Sequence, residues 1–376
     1  MARRGRPRRP GTRPAVTRLR YRAGDLREVA RAVIEAFGSS ADEAAVVADH
    51  MVGANLKGHD SHGVGLLASY DADLAAGSLV PNARPQTLLD AGPLLQIDAR
   101  FGFGQRVGRE AVDAAISRAR AHGVALLTLR HAHHLGRIGT YGEQAAAAGL
   151  VSVHFVNVLG VTPLVAPFGG AQARFGTDPV CIALPGEHGT APVVMDWATS
   201  MVAYGKARVA YHDGSVFPEP VLVSADGVPT ADPSVMFTDP PGALLPFGSH
   251  KGGGMLFVTE LLAGILSGGG TLADDDVPRG LVNNMVSIVI DPRTLGDAGW
   301  QSAQLRDMIA YATSARPAVA GRPILVPGEI ERQRESDRLA RGIEIGDEEW
   351  AGIRDAGRAH GVPESVFDVA GEHATA

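Results

Sequence analysis

The chain contains a single cysteine, Cys181, among its 376 residues. A disulfide within the chain is therefore impossible, and a zinc site built from cysteine thiolates is nearly excluded. The sequence also has no apolar run of the roughly 18 residues that a membrane-spanning helix requires. These absences predict a protein of a reducing, cytoplasmic compartment with no membrane partner.

Lysine is scarce, because only Lys57, Lys206 and Lys251 occur among the 35 basic residues. An ammonium group and a guanidinium group are not interchangeable, so these three positions are candidates for function. The net charge of −6 argues against nucleic acid as the main partner. Residues 1–20 differ from the rest. They contain eight arginines and no acid, and we predict a disordered basic tail there.

The spacing of apolar residues predicts helices at both ends of the chain and an α/β region between them. The predicted helices are 24–39, one from Ser40, 62–76, 104–122, 138–149, 251–267, 302–313, 330–341 and 347–360. The predicted strands are 94–98, 124–129, 151–156, 181–184, 193–196 and 285–290, and 212–248 is predicted to be a long loop region. The expected organisation is a tail at 1–20, a mainly helical domain at 21–80 with 245–376, and a central α/β domain at 81–244.

A polar segment at 58–63, GHDSHG, lies at the junction of two predicted helices. Ser61 can cap the helix that follows, which would place His62 in its first turn, where free N–H groups create a partial positive charge. Histidine is the side chain best suited to proton transfer near neutral pH. The alternative is a capped helix with surface histidines, and the spacing alone does not decide between the two.

Three histidines, His131, His133 and His134, directly follow the predicted buried strand 124–129. In α/β proteins the carboxyl end of a strand is where ligands bind. The cluster could bind zinc together with His59, Asp60 and His62, it could supply one acid–base catalyst, or it could be a polar turn without function. From spacing alone all three interpretations stay open.

Two segments of the predicted α/β region could bind a cofactor. The glycines at 102–108 open a helix, but their G-x-G-x-x-x-G spacing is a weak match to a dinucleotide fingerprint and equally fits a tight turn. The segment MDWATS at 195–200 ends a strand and is followed by Lys206. Its acid and hydroxyls could bind a ribose or orient an imidazole, or they could cap the next helix.

Two segments near the second half of the chain offer further candidates. The glycines at 248–254 surround His250 and Lys251 before a predicted helix, an arrangement that suits a phosphate, although a flexible turn explains it as well. The turn at 326–329, VPGE, joins a strand to a helix and could equally be an ordinary turn.

Taken together, these segments resemble the malate/L-lactate dehydrogenase family of the sulfolactate-dehydrogenase type, which is distinct from the better-known lactate dehydrogenases. The resemblance extends from about residue 24 to about residue 362. The matching pieces are GHDSHGV at 58–64 with Tyr70, LVPNARP at 79–85, HHLGRIGTY at 133–141, VAPFGG at 165–170, GTDP at 176–179, MDWATS at 195–200, GK at 205–206, SHKGGGM at 249–255 and PGE at 327–329. Each piece is weak, but their common order is specific.

The resemblance implies a central α/β cofactor domain that is not a Rossmann domain, flanked by a helical domain built from both chain ends. It also implies NADH or NADPH as cofactor and a homodimer. His134 matches the family's acid–base group, and His62 with Ser61 matches a pair that donates protons or holds the substrate. The positions implied to place the cofactor are Asp196, Trp197, Ala198, Thr199, Ser200, Lys206, His250, Lys251, Pro327, Gly328 and Glu329, of which Asp196 is also implicated in catalysis.

One position departs from the family pattern. Three residues after the glycine of SHG the family usually has an arginine, which is implied to clamp a substrate carboxylate, and this chain has Leu66. Loss of a bidentate guanidinium removes the best partner for a carboxylate. Either another arginine, Arg130 or Arg137, replaces it, or the substrate has no carboxylate there. Tyr70 is the other residue expected near the substrate.

We therefore expect an NAD(P)-dependent oxidoreductase that transfers hydride between the nicotinamide and a small 2-keto or 2-hydroxy acid, or a related carbonyl or imine compound. Histidine would act as acid and base, and no metal would be needed. The alternatives are a metal-dependent hydrolase built on the histidine cluster, a reductase of a cyclic imine or non-carboxylate substrate, and a non-catalytic binding protein.

Overall fold

The computed structural model describes residues 18–186, 189–275, 280–369 and 371–373. The α-helices are α1 (Ala23–Ala36), α2 (Ala41–Leu56), α3 (Leu67–Ala76), α4 (Gly104–His122), α5 (Gly139–Ala147), α6 (Tyr204–Asp213), α7 (His250–Leu261), α8 (Ala298–Thr313), α9 (Glu329–Arg341) and α10 (Asp347–Ala359). The strands are β1 (Arg18–Tyr21), β2 (Gln86–Ala91), β3 (Leu94–Asp98), β4 (Val124–His133), β5 (Val151–Leu159), β6 (Val180–Leu184), β7 (Val193–Trp197), β8 (Leu222–Val223), β9 (Pro229–Thr230), β10 (Ala243–Leu244), β11 (Val282–Ile290), β12 (Ile343–Gly346) and β13 (Glu372–His373). Helices of the described ranges are all too short or too polar to cross a lipid bilayer.

A seven-stranded sheet in the order β2-β3-β4-β11-β5-β6-β7 forms the centre of the molecule. Its one parallel pair is β3 and β4, which α4 connects as a crossover, and all other neighbours are antiparallel. Met285 and Val289 of β11 belong to the apolar core under α4 and α5. Asn284 lies on the opposite face of β11, where α7 and a π-helical turn at Leu262–Leu266 pack.

The helical part of the molecule combines both chain ends, as the resemblance implied. One apolar core contains residues of α1, α2, α3 and α10 together with β1 and β12 of the small sheet β12-β1-β13. Tyr21 of β1 stacks on Trp350 of α10 with ring centroids 4.4 Å apart, which fixes the amino-terminal strand against the carboxyl-terminal helix. The fold class, a mixed α/β protein with a central sheet and a helical part from both ends, is confirmed.

Several boundaries differ from those predicted. Arg18 and Arg20, which we assigned to the basic tail, form part of β1, and the rest of that tail, residues 1–17, lies outside the described residues. The region 212–248 is not one long loop, because β8, β9 and β10 form a small antiparallel sheet there. Residues 245–290 were assigned to the helical domain. They instead supply α7 and the fourth strand of the central sheet, since β11 pairs with both β4 and β5.

Candidate active site

The three clustered histidines point to three different places. Strand β4 continues to His133, four residues beyond its predicted end, because its last residues pair with the start of β11. His131 Nδ1 lies 3.2 Å from Asp98, and His133 Nε2 lies 3.0 Å from Asp73. Only His134, the first residue after the strand, faces His62, with 3.1 Å between His134 Nε2 and His62 Nδ1. In the part of the chain that the structure describes, no three His, Cys, Asp or Glu side chains converge on a metal-sized site.

His62 is held by a short 3-10 turn at Asp60–His62 rather than by the start of an α-helix, so Ser61 is not the helix cap that we expected. Asn55 fixes this turn from both sides: its amide nitrogen donates to Asp60 at 2.8 Å, and its oxygen accepts from the Val64 N–H at 2.9 Å. A Cβ at Gly63 would lie 2.3 Å from the Asn55 amide, so this close approach requires glycine. Ser61 itself is exposed.

Burial keeps both histidines of the pair neutral. Burial, and then the charges of His59 and Arg137, lower the pKa of His62 to about 4. Burial, together with the neighbouring His62, lowers the pKa of His134 well below its ordinary value. Two imidazoles in contact cannot readily both be charged, so at neutral pH the pair is a neutral base.

Two buried side chains form a hydrogen-bonded chain that begins at His134 Nδ1. The Tyr70 hydroxyl lies 2.7 Å from His134 Nδ1, and the Gln105 amide nitrogen donates to that hydroxyl at 2.8 Å. Tyr70 and Gln105 are both fully buried. A Cβ at Gly104 would lie 2.1 Å from the His133 carbonyl oxygen. This glycine, which we considered as part of a dinucleotide fingerprint, instead allows the first turn of α4 to pack directly on the backbone of His133 and His134.

A cavity of about 150 Å³ lies in front of the pair. Apart from the two histidines its lining is largely apolar, and the described lining residues include neither lysine nor arginine. The remaining lining residues are Gly136, Ile138, Val156, Val158, Val161, Thr162, Pro163, Leu164, Gly176, Thr177, Pro179, Leu272, Leu281 and Asn283. A cavity of this size admits one six-membered ring.

The three residues expected to contact the substrate do not line this cavity. Leu66 packs against the apolar core of the helical part, and the Tyr70 hydroxyl contacts His134 Nδ1. Arg137 is 2% exposed and lies between two acids, with Nη1 2.9 Å from Glu143 and Nε 3.5 Å from Asp196. A buried guanidinium neutralised in this way is not free to clamp a substrate carboxylate. Arg130, the other candidate, pairs with Asp98 instead.

Asp196 connects the cavity region with the segment expected to bind the cofactor. Its Oδ2 accepts from the N–H of Gly139, the first residue of α5, at 2.8 Å, so it caps a helix that precedes it in the chain rather than the next one. Burial raises the pKa of Asp196, and the Arg137 charge opposes that rise. The Thr199 hydroxyl donates to the carbonyl of Thr177, a residue of the cavity lining, at 2.8 Å.

The other predicted cofactor residues lie along the continuation of this segment. The Phe247 N–H donates to the Thr199 carbonyl at 2.9 Å, which brings the start of α7, with His250 and Lys251 exposed, next to residues 199–200. Lys206 is exposed on α6, whose Gly205 approaches Ser61. The Pro327 carbonyl accepts from Val194 N–H at 3.3 Å, two residues along β7 from Asp196. Gly328 and Glu329 therefore lie at the open edge of β7.

A sequence model of the malate/L-lactate dehydrogenase family matches residues 21–354. This chain belongs to the malate/L-lactate dehydrogenase family. It is therefore an oxidoreductase, and the alternative of a metal-dependent hydrolase has no support. Family membership also implies a nicotinamide cofactor, which agrees with the expectation from the motifs.

Relatives and a solved structure cover nearly the whole chain. L-lactate dehydrogenase of Cupriavidus necator is 45% identical over 318 residues, which are 83% of this chain and 91% of that protein. Hydroxycarboxylate dehydrogenase B of Escherichia coli K12 is 41% identical over 353 residues, 93% of this chain and 96% of that protein. The structure of sulfolactate dehydrogenase from Methanocaldococcus jannaschii superposes with a TM-score of 0.82 at 28% identity, covering 93% of this chain and 99% of that one.

The residues of this malate/L-lactate dehydrogenase family member fit a nicotinamide nucleotide. The indole Nε1 of Trp197 is buried without a hydrogen-bond acceptor among the described residues, so the segment expected to bind the cofactor contains an unused donor. A Cβ at Gly252 would lie 1.6 Å from the Phe247 carbonyl, so glycine is needed for the close packing at the start of α7, where Lys251 offers a cation for phosphate.

Sequence reasoning missed three residues of this site. Gln105 was treated as part of a glycine-rich turn, although a polar amide on the inward face of an apolar helix signals a specific partner. Thr162 and Asn283 line the cavity but carry no recognisable spacing. Asn283 reaches the cavity only because β11 lies beside β4, which is a long-range pairing that local patterns do not reveal.

Proposed function

We propose that this protein oxidises small 2-hydroxy acids with one carboxylate and an apolar side chain, and reduces the corresponding 2-keto acids, with NAD or NADP as cofactor. The observation that carries this proposal is the cavity in front of His62 and His134, whose described lining is largely apolar and includes no lysine or arginine. Each carboxylate desolvated there lacks a cationic partner, so a substrate with two carboxylates, such as malate, is disfavoured more than a substrate with one.

The His62–His134 pair acts as the acid–base group. In oxidation the pair takes the proton of the substrate hydroxyl, and in reduction it returns a proton to the carbonyl oxygen. A bound nicotinamide would supply the hydride chemistry. The neutral state of the pair at ordinary pH suits the role of base. Asp196 and Arg137 are assigned no contact with the reacting atoms. The Asp196 carboxylate accepts a hydrogen bond from the first residue of α5, and the Arg137 guanidinium balances the charge of that carboxylate.

The nucleotide is held by the segments that adjoin the cavity. The segment Asp196, Trp197, Ala198, Thr199 and Ser200 reaches the cavity lining through Thr199, whose hydroxyl donates to the Thr177 carbonyl. The exposed Lys206 and Lys251 supply positive charge for the phosphates, and the exposed His250 lies beside Lys251. Pro327, Gly328 and Glu329 border the open edge of β7. Ser61 lies beside Gly205, the sequence neighbour of Lys206.

The names of two relatives are consistent with this assignment. One is an L-lactate dehydrogenase and the other a hydroxycarboxylate dehydrogenase, and lactate has one carboxylate and an apolar methyl group. The proposed cytoplasmic location rests on the single cysteine, Cys181, which is buried and unpaired.

A substrate panel tests the proposal. The purified protein is mixed with NAD or NADP and a series of 2-hydroxy acids, and with NADH or NADPH and 2-keto acids or a cyclic 2-imino acid, and absorbance is followed at the nicotinamide band. We expect kcat/KM for lactate and its longer alkyl homologues to exceed that for malate by about tenfold or more, the effect of one unpaired charge. A preference for malate or for the cyclic imine would contradict the proposed substrate class.

Substitution of the histidines tests the assigned chemistry. His62→Asn and His134→Asn should each lower kcat by about 100-fold or more and leave cofactor affinity within about twofold. His131→Asn is the matched control, because His131 belongs to the same cluster but pairs with Asp98 outside the cavity. Near-normal turnover of His134→Asn would show that the pair is not the acid–base group.

We also propose that the protein is a homodimer. Helix α8 exposes Trp300, Met308 and Tyr311 on one face, each more than half exposed, and its buried residue is Ser302. An exposed apolar face of this kind indicates a protein interface, and the family resemblance points to a second copy of the chain.

A further inference from the structure

The GTDP segment at 176–179 places a buried carboxyl group next to the residues that line the cavity. Gly176, Thr177 and Pro179 belong to the lining, whereas the side chain of Asp178 is fully buried. A Cβ at Gly176 would lie 2.7 Å from Asp178 Oδ1, so this carboxyl group packs directly on that glycine. Neither the histidine pair nor the nucleotide segment gives the buried acid a role.

The Asp178 carboxyl contacts a second buried carboxyl, that of Glu260 on α7. Asp178 Oδ1, Asp178 Oδ2 and Glu260 Oε2 are all buried without a well-formed hydrogen bond from a described residue. Two carboxylates in such contact do not readily ionise together, because each charge would be desolvated beside a like charge. One proton between them removes the repulsion and supplies a hydrogen bond that both groups otherwise lack.

The surroundings decide which of the two acids carries that proton. Glu260 Oε1 accepts from the Leu272 N–H at 2.7 Å, and the Asn157 amide also favours the charged form of Glu260. Burial, and then the charge of Glu260, raise the pKa of Asp178 well above its ordinary value, while the N–H groups of Asp178 and Val158 oppose the rise. Asp178 is therefore the better place for the proton, and Glu260 Oε2 is the oxygen left to accept it.

A hydrogen bond between these carboxyls connects separate parts of the cavity wall. Glu260 holds Leu272, a residue of the lining, through the Leu272 N–H. Asp178 follows Thr177, whose carbonyl accepts from the Thr199 hydroxyl of the segment expected to bind the cofactor. The bond therefore fixes both the 176–179 segment and Leu272 to α7.

We propose that Asp178 and Glu260 share a single proton, and that this buried link holds the cavity wall against α7. Neither side chain is among the described residues that line the cavity, so both are positioning residues. Burial raises the pKa of Glu260, and the exposed acid Asp274 adds to that rise, which favours retention of the proton. The presence of the proton does not depend on the proposed substrate, whereas its effect on turnover rests on the proposed function.

Unfolding at different pH values tests whether the proton is present. Asp178→Asn replaces the acid by an amide of the same shape, which donates to Glu260 without a titratable proton. The folded wild-type protein keeps a proton that the unfolded chain releases, so it loses stability relative to the variant as pH rises. In urea titrations the ratio of the unfolding constants, wild type over variant, should rise by up to about tenfold for each pH unit between about pH 6 and 8.

Asp274→Asn is the matched control. It is the same substitution in the loop that carries Leu272, at an exposed acid whose Oδ2 accepts from the Thr271 N–H at 2.7 Å. The corresponding ratio should change little with pH, because this carboxylate is in contact with water in the folded and unfolded protein alike. A ratio independent of pH in Asp178→Asn would show that Asp178 is ionised in the folded protein and would overturn the proposal.

Infrared spectroscopy detects the proton without turnover. At neutral pH the wild-type protein should show a carbonyl band of a protonated carboxyl group that is missing from Asp178→Asn and retained in Asp274→Asn. Identical carboxyl bands in wild type and Asp178→Asn would refute the shared proton even if the substrate panel succeeds.

Kinetic measurements test what the link does for the site. Asp178→Leu leaves Glu260 Oε2 without a donor, and we expect KM for the preferred hydroxy acid to rise about tenfold with kcat within about twofold. Asp178→Asn retains a donor and should keep KM within about twofold of the wild-type value. Equal KM values of the two variants would show that the hydrogen bond does not position the wall. A substrate panel without turnover would refute the proposed function and leave the urea and infrared measurements valid.

Discussion

The low pKa of His62 predicts how activity depends on pH. Oxidation needs the neutral pair, and burial followed by the charge of His59 lowers the pKa of His62 to about 4. Because the neutral form persists down to that pKa, kcat/KM for oxidation should stay constant as pH falls to about 5 and should decrease only below that. The measurement is kcat/KM for the preferred hydroxy acid between pH 9 and 4.5. A decrease centred near 6.5, the value of an ordinary histidine, would contradict the assigned group.

The buried Arg137 supports the site through its charge rather than by contact with the substrate. Arg137→Met would leave Asp196 and Glu143 without their counter-charge, and removal of one partner of a buried ion pair typically costs about 3–5 kcal/mol. We expect this decrease in the free energy of unfolding in urea titrations. Arg306→Met on the exposed face of α8 is the control, with an expected change within about 0.5 kcal/mol. Equal stability of the two variants would show that Arg137 is not a structural counter-ion.

At the scale of single elements, helix α8 is the best test of assembly. Trp300 and Tyr311 lie on one face of the helix, and Met308 lies next to them. Met308→Glu together with Tyr311→Glu would place two charges in the proposed interface, and we expect the variant to sediment as a monomer where the wild-type protein sediments as a dimer. Asp307→Ala changes the same helix without adding charge to the apolar face and should remain dimeric. A monomeric wild-type protein would exclude the interface.

Elements with local signals were predictable and elements that depend on distant pairing were not. The apolar spacing of residues 104–122 predicted the observed limits of α4, because this helix buries one face. The short apolar run 94–98 likewise predicted the observed limits of β3. The end of β4 and the place of β11 depend on each other across about 150 residues, so local patterns placed β4 too short and β11 in the wrong domain. In the site, the motif order predicted His62 and His134 as the reactive pair, and the structure brings their rings together. The contacts of Tyr70 and Gln105 required the packing of α3 and α4 against the end of β4.

At the scale of the whole molecule, buried ionisable groups act on stability in opposite directions. Burial lowers the pKa of His50 to about 3 and that of His154 to about 4. Such histidines stay neutral in the folded protein while the unfolded chain takes up protons, so they reduce stability as pH falls below about 6.5. Burial instead raises the pKa of Asp178 and, to about 6, that of Glu349, and these carboxyls stabilise the folded protein as pH falls.

A single substitution separates these opposing contributions. His154 is buried between the hydroxyls of Ser287 and Ser152, away from the cavity. In His154→Gln the loss of folding stability that His154 causes at acid pH disappears, whereas all other groups titrate as before. The difference in the free energy of unfolding, wild type minus variant, should therefore be constant above pH 7. It should then fall by about 1.4 kcal/mol for each pH unit between about pH 6 and 5. Urea titrations at fixed protein concentration measure it, and a difference independent of pH would mean that the ring of His154 is protonated in the folded protein or accessible to water.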